Sequence, residues 1–142
     1  MKIFTIGFTK KSLEEFVKLL KDNKIQVLID IRLRNTGQLA GFAKDKDLKF
    51  ILNNFGIEYR HVKDLAPTSD LLDDYKNRKI DWEEYRTRFD KLMEERKGRE
   101  ILLKELEGGK TACLLCSEEK AEQCHRRLVA ELVRDRAEII NL

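Results

Sequence analysis

Apolar runs of strand length, each followed by residues at helical spacing, constrain this chain more than any other feature. Ile3 to Gly7 is a short apolar run ending in Gly-Phe-Thr, as a buried strand would. Ser12 and Glu15 then form a capping box, and Leu13, Phe16, Val17 and Leu20 recur at the i, i+3, i+4, i+7 spacing of an amphipathic helix. Val27 to Arg32 (VLIDIR) is apolar until its polar end, which suits a strand covered on both faces. Leu48, Ile51, Leu52 and Phe55 repeat the helical stripe, and Gly56 stops it. Ile57 to Val62 is a third strand, Ser69 to Asn77 a short helix, and Asp81 with Glu84 caps a helix carrying Trp82, Tyr85, Phe89 and Leu92. Helical spacing resumes after Gly98 through Ile101, Leu102 and Leu106. Thr111 to Cys116 (TACLLC) is a fourth strand, Leu128, Val129 and Leu132 mark a last helix, and Ala137 to Leu142 is a fifth strand. Residues 33–43 carry two glycines and no period, and read as a loop.

Alternation of this kind predicts an α/β domain spanning residues 1–142: a three-layer, Rossmann-like, doubly wound and mainly parallel sheet of about five strands, with helices on both faces. The expected strand order is 3-2-1-4-5. Ligands in such sheets bind beyond the carboxyl ends of the strands, where the order reverses; here that point falls between strands one and four.

Composition narrows the setting. The apolar share of 42% is enough for a core, while the charged share of 39% exceeds the usual ~25% and suits a surface laced with ion pairs. A net charge of +3 does not by itself mark a nucleic-acid binder. The three cysteines fall between positions 113 and 124, which is not a secreted disulfide framework, and MKIFTIGFTKK shows no apolar run long enough for a signal peptide or membrane span, so neither is expected. A reducing, cytoplasmic setting without a membrane partner is expected.

The sharpest chemical signal is CSEEKAEQCHRR at 116–127. Cys116 ends a strand, and Cys124, His125 and Arg126 open a helix. His125 heads a stripe with Leu128, Val129 and Leu132, so it points inward at the strand ends. Cys124 falls in the first helical turn, where the positive end of the helix dipole would lower a thiol pKa. Arg126 adds charge beside that turn, a setting for a carboxylate or phosphate. Asp30 and Arg32 share one face of the second strand and supply an acid and a cation at the same edge. The candidate catalytic residues are therefore Cys116, Cys124, His125 and Asp30, and the candidate ligand-binding residues are Gly7, Arg32 and Arg126.

Bland roles compete with each of these. Cys113 is core, Cys116 and Cys124 could simply pack, His125 could bond a loop carbonyl, and Asp30 could brace Arg32. No metal or other cofactor is expected. Cys113 and Cys116 have C-x2-C spacing, but residues three apart on a strand point to opposite faces. The Asp-x-Arg at a strand end is similar to one in rhodanese domains, but the short glycine-containing loop that would cradle a sulfurtransferase cysteine is missing. The favoured partner is a small anionic ligand such as a nucleotide or phosphorylated metabolite. The alternatives are a nucleic acid, which would need Lys10, Lys11, Arg34, Arg126 and Arg127 on one surface, and a thiol-based interaction or redox-sensing role.

Three segments, TIGFTKKSLEEFVKLL, VLIDIR and CLLCSEEKAEQCHRRLVAEL, resemble the family catalogued as domain of unknown function 488. The last is the most specific: a strand-end cysteine followed by Cys-His-Arg at a helix start. Gly7, Asp30, Arg32, Cys116, Cys124, His125 and Arg126 match its pattern. The resemblance implies an α/β fold and a Cys/His/Arg site, and no settled activity. The chain departs from the pattern at Phe8, where many members have His, and in a loop after the second strand that is less basic than theirs.

Overall fold

A computed structural model describes residues 1–35, 41–117 and 124–142. Its strands are β1 (Lys2–Gly7), β2 (Val27–Asp30), β3 (Glu58–His61), β4 (Ala112–Cys116) and β5 (Glu138–Asn141). Its helices are α1 (Leu13–Asp22), α2 (Asp45–Asn54), α3 (Ser69–Lys76), α4 (Trp82–Arg96), α5 (Gly98–Glu105) and α6 (His125–Glu131), with short 3-10 turns at Gly41–Ala43 and Lys63–Leu65. Of the loop read over 33–43, residues 36–40 lie outside the described residues, as do Glu118, Glu119 and Lys120.

All strand pairs are parallel, in the order β3-β2-β4-β1-β5. The class is the α/β three-layer sheet expected, but β4 lies between β2 and β1, which corrects the order 3-2-1-4-5. The reason is burial. Every residue of β4 is buried, so it takes the centre, while β3 and β5 keep exposed residues and form the edges.

Alternation along the strands divides the core in two. Phe4, Ile6, Leu28, Cys113 and Leu115 face α1 and α2, meeting Phe16, Leu20, Leu48 and Leu52. Ile3, Val27, Ile29, Ala112 and Leu114 face the other helices, meeting Leu71, Tyr85, Phe89, Met93, Leu102, Leu128 and Val129. Phe16 and Phe89 are fully buried, each contributing ~1.5–3 kcal/mol by area. The connections from β1 and β4 thus leave toward opposite faces, and these strands are neighbours, with Gly7 opposite Cys116 at their carboxyl ends. A crevice there is what the topology requires.

Local signals end the helices as read. Gly56 follows α2 at φ +72, a left-handed conformation that costs other residues energy. Lys97, in left-handed conformation, separates α4 from α5. Ser12 Oγ accepts from the Glu15 amide at 3.1 Å at the start of α1. Ser12→Ala should therefore lower stability by about 1 kcal/mol, read as a lower denaturant midpoint at unchanged slope. No described helix is long and apolar enough to cross a membrane.

Candidate functional site

The site begins at the end of β4. Cys116 shares strand parity with Ala112 and Leu114, so its side chain faces α6. Cys113 takes the opposite face and is sealed under α1 and α2, where burial drives its thiol pKa far up despite the charge of Arg126. The C-x2-C pair is thus split by the pleat of the strand.

Cys124 precedes α6 with extended backbone, φ −132 and ψ 144, and His125 is the first helical residue. Cys124 Sγ lies 2.7 Å from Cys116 Sγ, and His125 Nδ1 lies 3.5 Å from Cys116 Sγ. On its other side His125 Nε2 is 2.7 Å from the carbonyl oxygen of Ile31. A carbonyl only accepts, so Nε2 carries the hydrogen, and in the neutral ring Nδ1 is the acceptor facing Cys116. The neutral imidazole thereby presents an acceptor nitrogen to one thiol.

The electrostatics reverse one expectation. The sequence places Cys124 where a helix terminus would lower its pKa. In the structure it donates its hydrogen to Cys116, and that bond, with burial, holds it well above the usual thiol value; the Arg126 amide and charge pull the other way but do not prevail. The helix is only 7 residues long, so its dipole is small. Cys116 is the sulfur flanked by a donor and a base. Burial would push the pKa of His125 down, but the Cys116 sulfur, the Ile31 carbonyl and Asp30 together carry it above the ordinary imidazole value.

A second network lies beside the first at the end of β2. Asp30 is fully buried and accepts from Arg32 through Nε at 2.9 Å and Nη2 at 2.8 Å. It also accepts from Tyr59 Oη at 2.6 Å and from the Arg32 amide at 3.1 Å. Arg32 Nη2 further donates to the Ala43 carbonyl at 2.7 Å, and its guanidinium lies 5.2 Å from the centre of the Phe8 ring. Burial lowers the Arg32 pKa, and Asp30 more than restores it. Asp30 thus holds the Arg32 guanidinium in place through two side-chain bonds.

One cavity of about 150 Å³ takes in Arg32, Cys116, Cys124 and His125, together with Tyr75, Tyr85, Arg34 and Lys76. Gly7 stands beside Cys116 in the sheet and Asp30 lies behind Arg32; neither lines the cavity. Arg126 is 1% exposed and does not line it either. Tyr59, the Ala43 carbonyl and Phe8 are partners the sequence reading missed. Tyr59 was within reach, since parallel pairing puts His61 opposite Asp30 and Tyr59 two residues earlier.

As a metal centre the three donors Cys116, Cys124 and His125 lie within 4.8 Å of one another. Zinc bonds of ~2.3 Å to sulfur at tetrahedral angles would hold two sulfurs roughly 3.7 Å apart. The two sulfurs, at 2.7 Å, would have to separate by roughly 1 Å to share one metal.

No curated protein and no solved structure is similar enough to this chain to count as a match. The family model described as domain of unknown function DUF488 matches residues 12–133, from the cap of α1 through α6. That span includes every candidate site residue except Gly7. The Cys116–Cys124–His125 cluster and the Asp30–Arg32 pair thus sit within a chain that belongs to the DUF488 family.

Proposed function

We propose that this site binds a small anionic ligand, such as a nucleotide or phosphorylated metabolite, beside a cysteine–histidine pair. The observation that carries the reading is the bonding of Arg32. Nε and Nη2 are spent on Asp30 and the Ala43 carbonyl, while Nη1 makes no hydrogen bond among the described residues, and Arg32 lines the cavity. A guanidinium held rigid at one end and open at the other suits a carboxylate or phosphate oxygen. Lys76 adds positive charge to the cavity wall, beside Arg34, which is paired with Asp73, and Tyr75 and Tyr85 offer ring surface to the organic part of the ligand. Cys116, with His125 Nδ1 to take its proton, is the group placed to react with what binds.

The nucleic-acid reading fares less well. Arg126 is buried, Arg34 is bonded to Asp73 at 3.1 Å, and Arg127 is bonded to Glu131 at 3.0 Å. Those arginines do not present one open basic face.

Thermal unfolding with inorganic phosphate, pyrophosphate, AMP and a sugar phosphate tests the proposal, in the wild type and in Arg32→Lys. Lysine keeps a positive charge opposite Asp30 but replaces the planar fork with one compact ammonium, which cannot bond Asp30 and the Ala43 carbonyl and still present a donor where Nη1 faces the cavity. At least one anion should raise the wild-type melting temperature, with ~2.7 kcal/mol of stabilisation at a hundredfold excess over Kd, and Arg32→Lys should lose most of that shift. Equal shifts in both proteins, or none with any anion at millimolar concentration, would sink the reading.

A further inference from the structure

We infer that Cys116 and Cys124 form a reversible dithiol–disulfide couple, oxidised by small peroxides that reach them through the cavity. The inference stands apart from the anion reading, since neither step needs an anion. Three observations carry it. The two sulfurs are 2.7 Å apart, so closing to a disulfide bond of ~2.05 Å needs less movement than opening for a metal. Both line the cavity, each residue only 3% exposed, so an oxidant has to enter through the cavity, and a small peroxide fits it. His125 Nδ1 lies beside Cys116 and not between the sulfurs, so it can manage a proton without blocking the bond.

The chemistry balances in two steps. The Cys116 thiol gives its proton to His125 Nδ1, and its sulfur attacks one peroxide oxygen. An S–O bond forms, the O–O bond breaks, and the departing hydroxide takes the His125 proton to leave as water when the peroxide is hydrogen peroxide. Cys116 is then a sulfenic acid. Cys124 Sγ attacks Cys116 Sγ, the S–S bond forms, and the S–O bond breaks. The hydroxyl leaves as a second water with the proton of Cys124. Two thiols are oxidised, one peroxide is reduced, and a small dithiol such as dithiothreitol restores the starting state. Cys113, on the far face of β4, takes no part.

Intact-mass measurement on the full chain after hydrogen peroxide, with alkylation under denaturing conditions, tests this. The oxidised protein should lose the mass of two hydrogens, and alkylation should reach only Cys113. Trypsin should then release a cross-link between the peptides that contain Cys116 and Cys124, and dithiothreitol should reverse it. Cys113→Ala should leave the cross-link intact. Cys124→Ser should abolish it and let a sulfenic acid on Cys116 be trapped by dimedone, and Cys116→Ser should leave neither product. Three alkylated cysteines after peroxide, a cross-link through Cys113, or a cross-link between two chains would overturn the inference. Failure here leaves the ligand shifts untouched, and failure of those shifts leaves this cross-link untouched.

Discussion

Asp30→Ala is expected to cost about 3–5 kcal/mol of folding stability, because it strands a buried cation. Arg32 is 6% exposed, and Asp30 is its carboxylate partner among the described residues. Removing Asp30 also takes the acceptor from Tyr59 Oη and from the Arg32 amide. Against a typical total of ~5–15 kcal/mol, such a loss is large enough to show as a marked fall in the denaturant midpoint. The double variant Asp30→Ala with Arg32→Met should recover much of it, since replacing both members of a buried pair by apolar groups is far gentler than removing one. A loss below about 1 kcal/mol for the single variant would mean that the guanidinium is satisfied without Asp30, and the network would not be the rigid support described.

His125→Gln should lower the alkylation rate of Cys116 near neutral pH by about a hundredfold, the scale of one positioned base. Glutamine is chosen because its amide nitrogen can keep the bond that Nε2 makes to the Ile31 carbonyl while removing the base at the Nδ1 position. The comparison is made in a Cys124→Ser background, so that iodoacetamide reports one site; Cys113 is fully buried. The dependence of rate on pH is the decisive readout. With His125 present, reactivity should persist below the range of an ordinary thiol; with glutamine it should rise only as a free thiol ionises. Rates within about twofold of each other and matching pH profiles would show that the histidine merely packs.

The sequence carried much of the fold because the relevant signals are local. ACLLC, VLID and the run from Ile3 each report burial on both faces without reference to the rest of the chain, and all three pair in the sheet. The order of the strands is not local. Whether β4 lies outside β1 or between β1 and β2 depends on which pairing buries the most surface, and no periodicity encodes that. The site shows the same division. The inward turn of His125 follows from its spacing to Leu128, Val129 and Leu132, and the shared face of Asp30 and Arg32 follows from the pleat. The chemistry of the thiols does not. Which cysteine is proton donor and which is flanked by the base depends on a contact between residues from two elements, and here it makes Cys116, not Cys124, the sulfur that His125 attends.

The short stretch after β2 has a consequence for altering this protein. Ile31 and Arg32 lie past the last strand residue, yet their backbone groups remain bonded as if the sheet continued. The Ile31 amide donates to the Leu115 carbonyl at 3.2 Å, and the Ile31 carbonyl accepts from His125 at 2.7 Å. The Arg32 amide donates to Asp30 at 3.1 Å, and the Arg32 carbonyl accepts from His61 at 2.8 Å. Both histidines of the chain are spent on these two carbonyls. A segment that looks like a connection is therefore registered as tightly as a strand, since buried backbone groups tolerate no loss of partners. Loop exchange or lengthening, which surface connections usually accept, would shift both carbonyls off their imidazoles if the added residue came before Leu33. The point at which this domain can be extended without retuning the cysteines starts only beyond it.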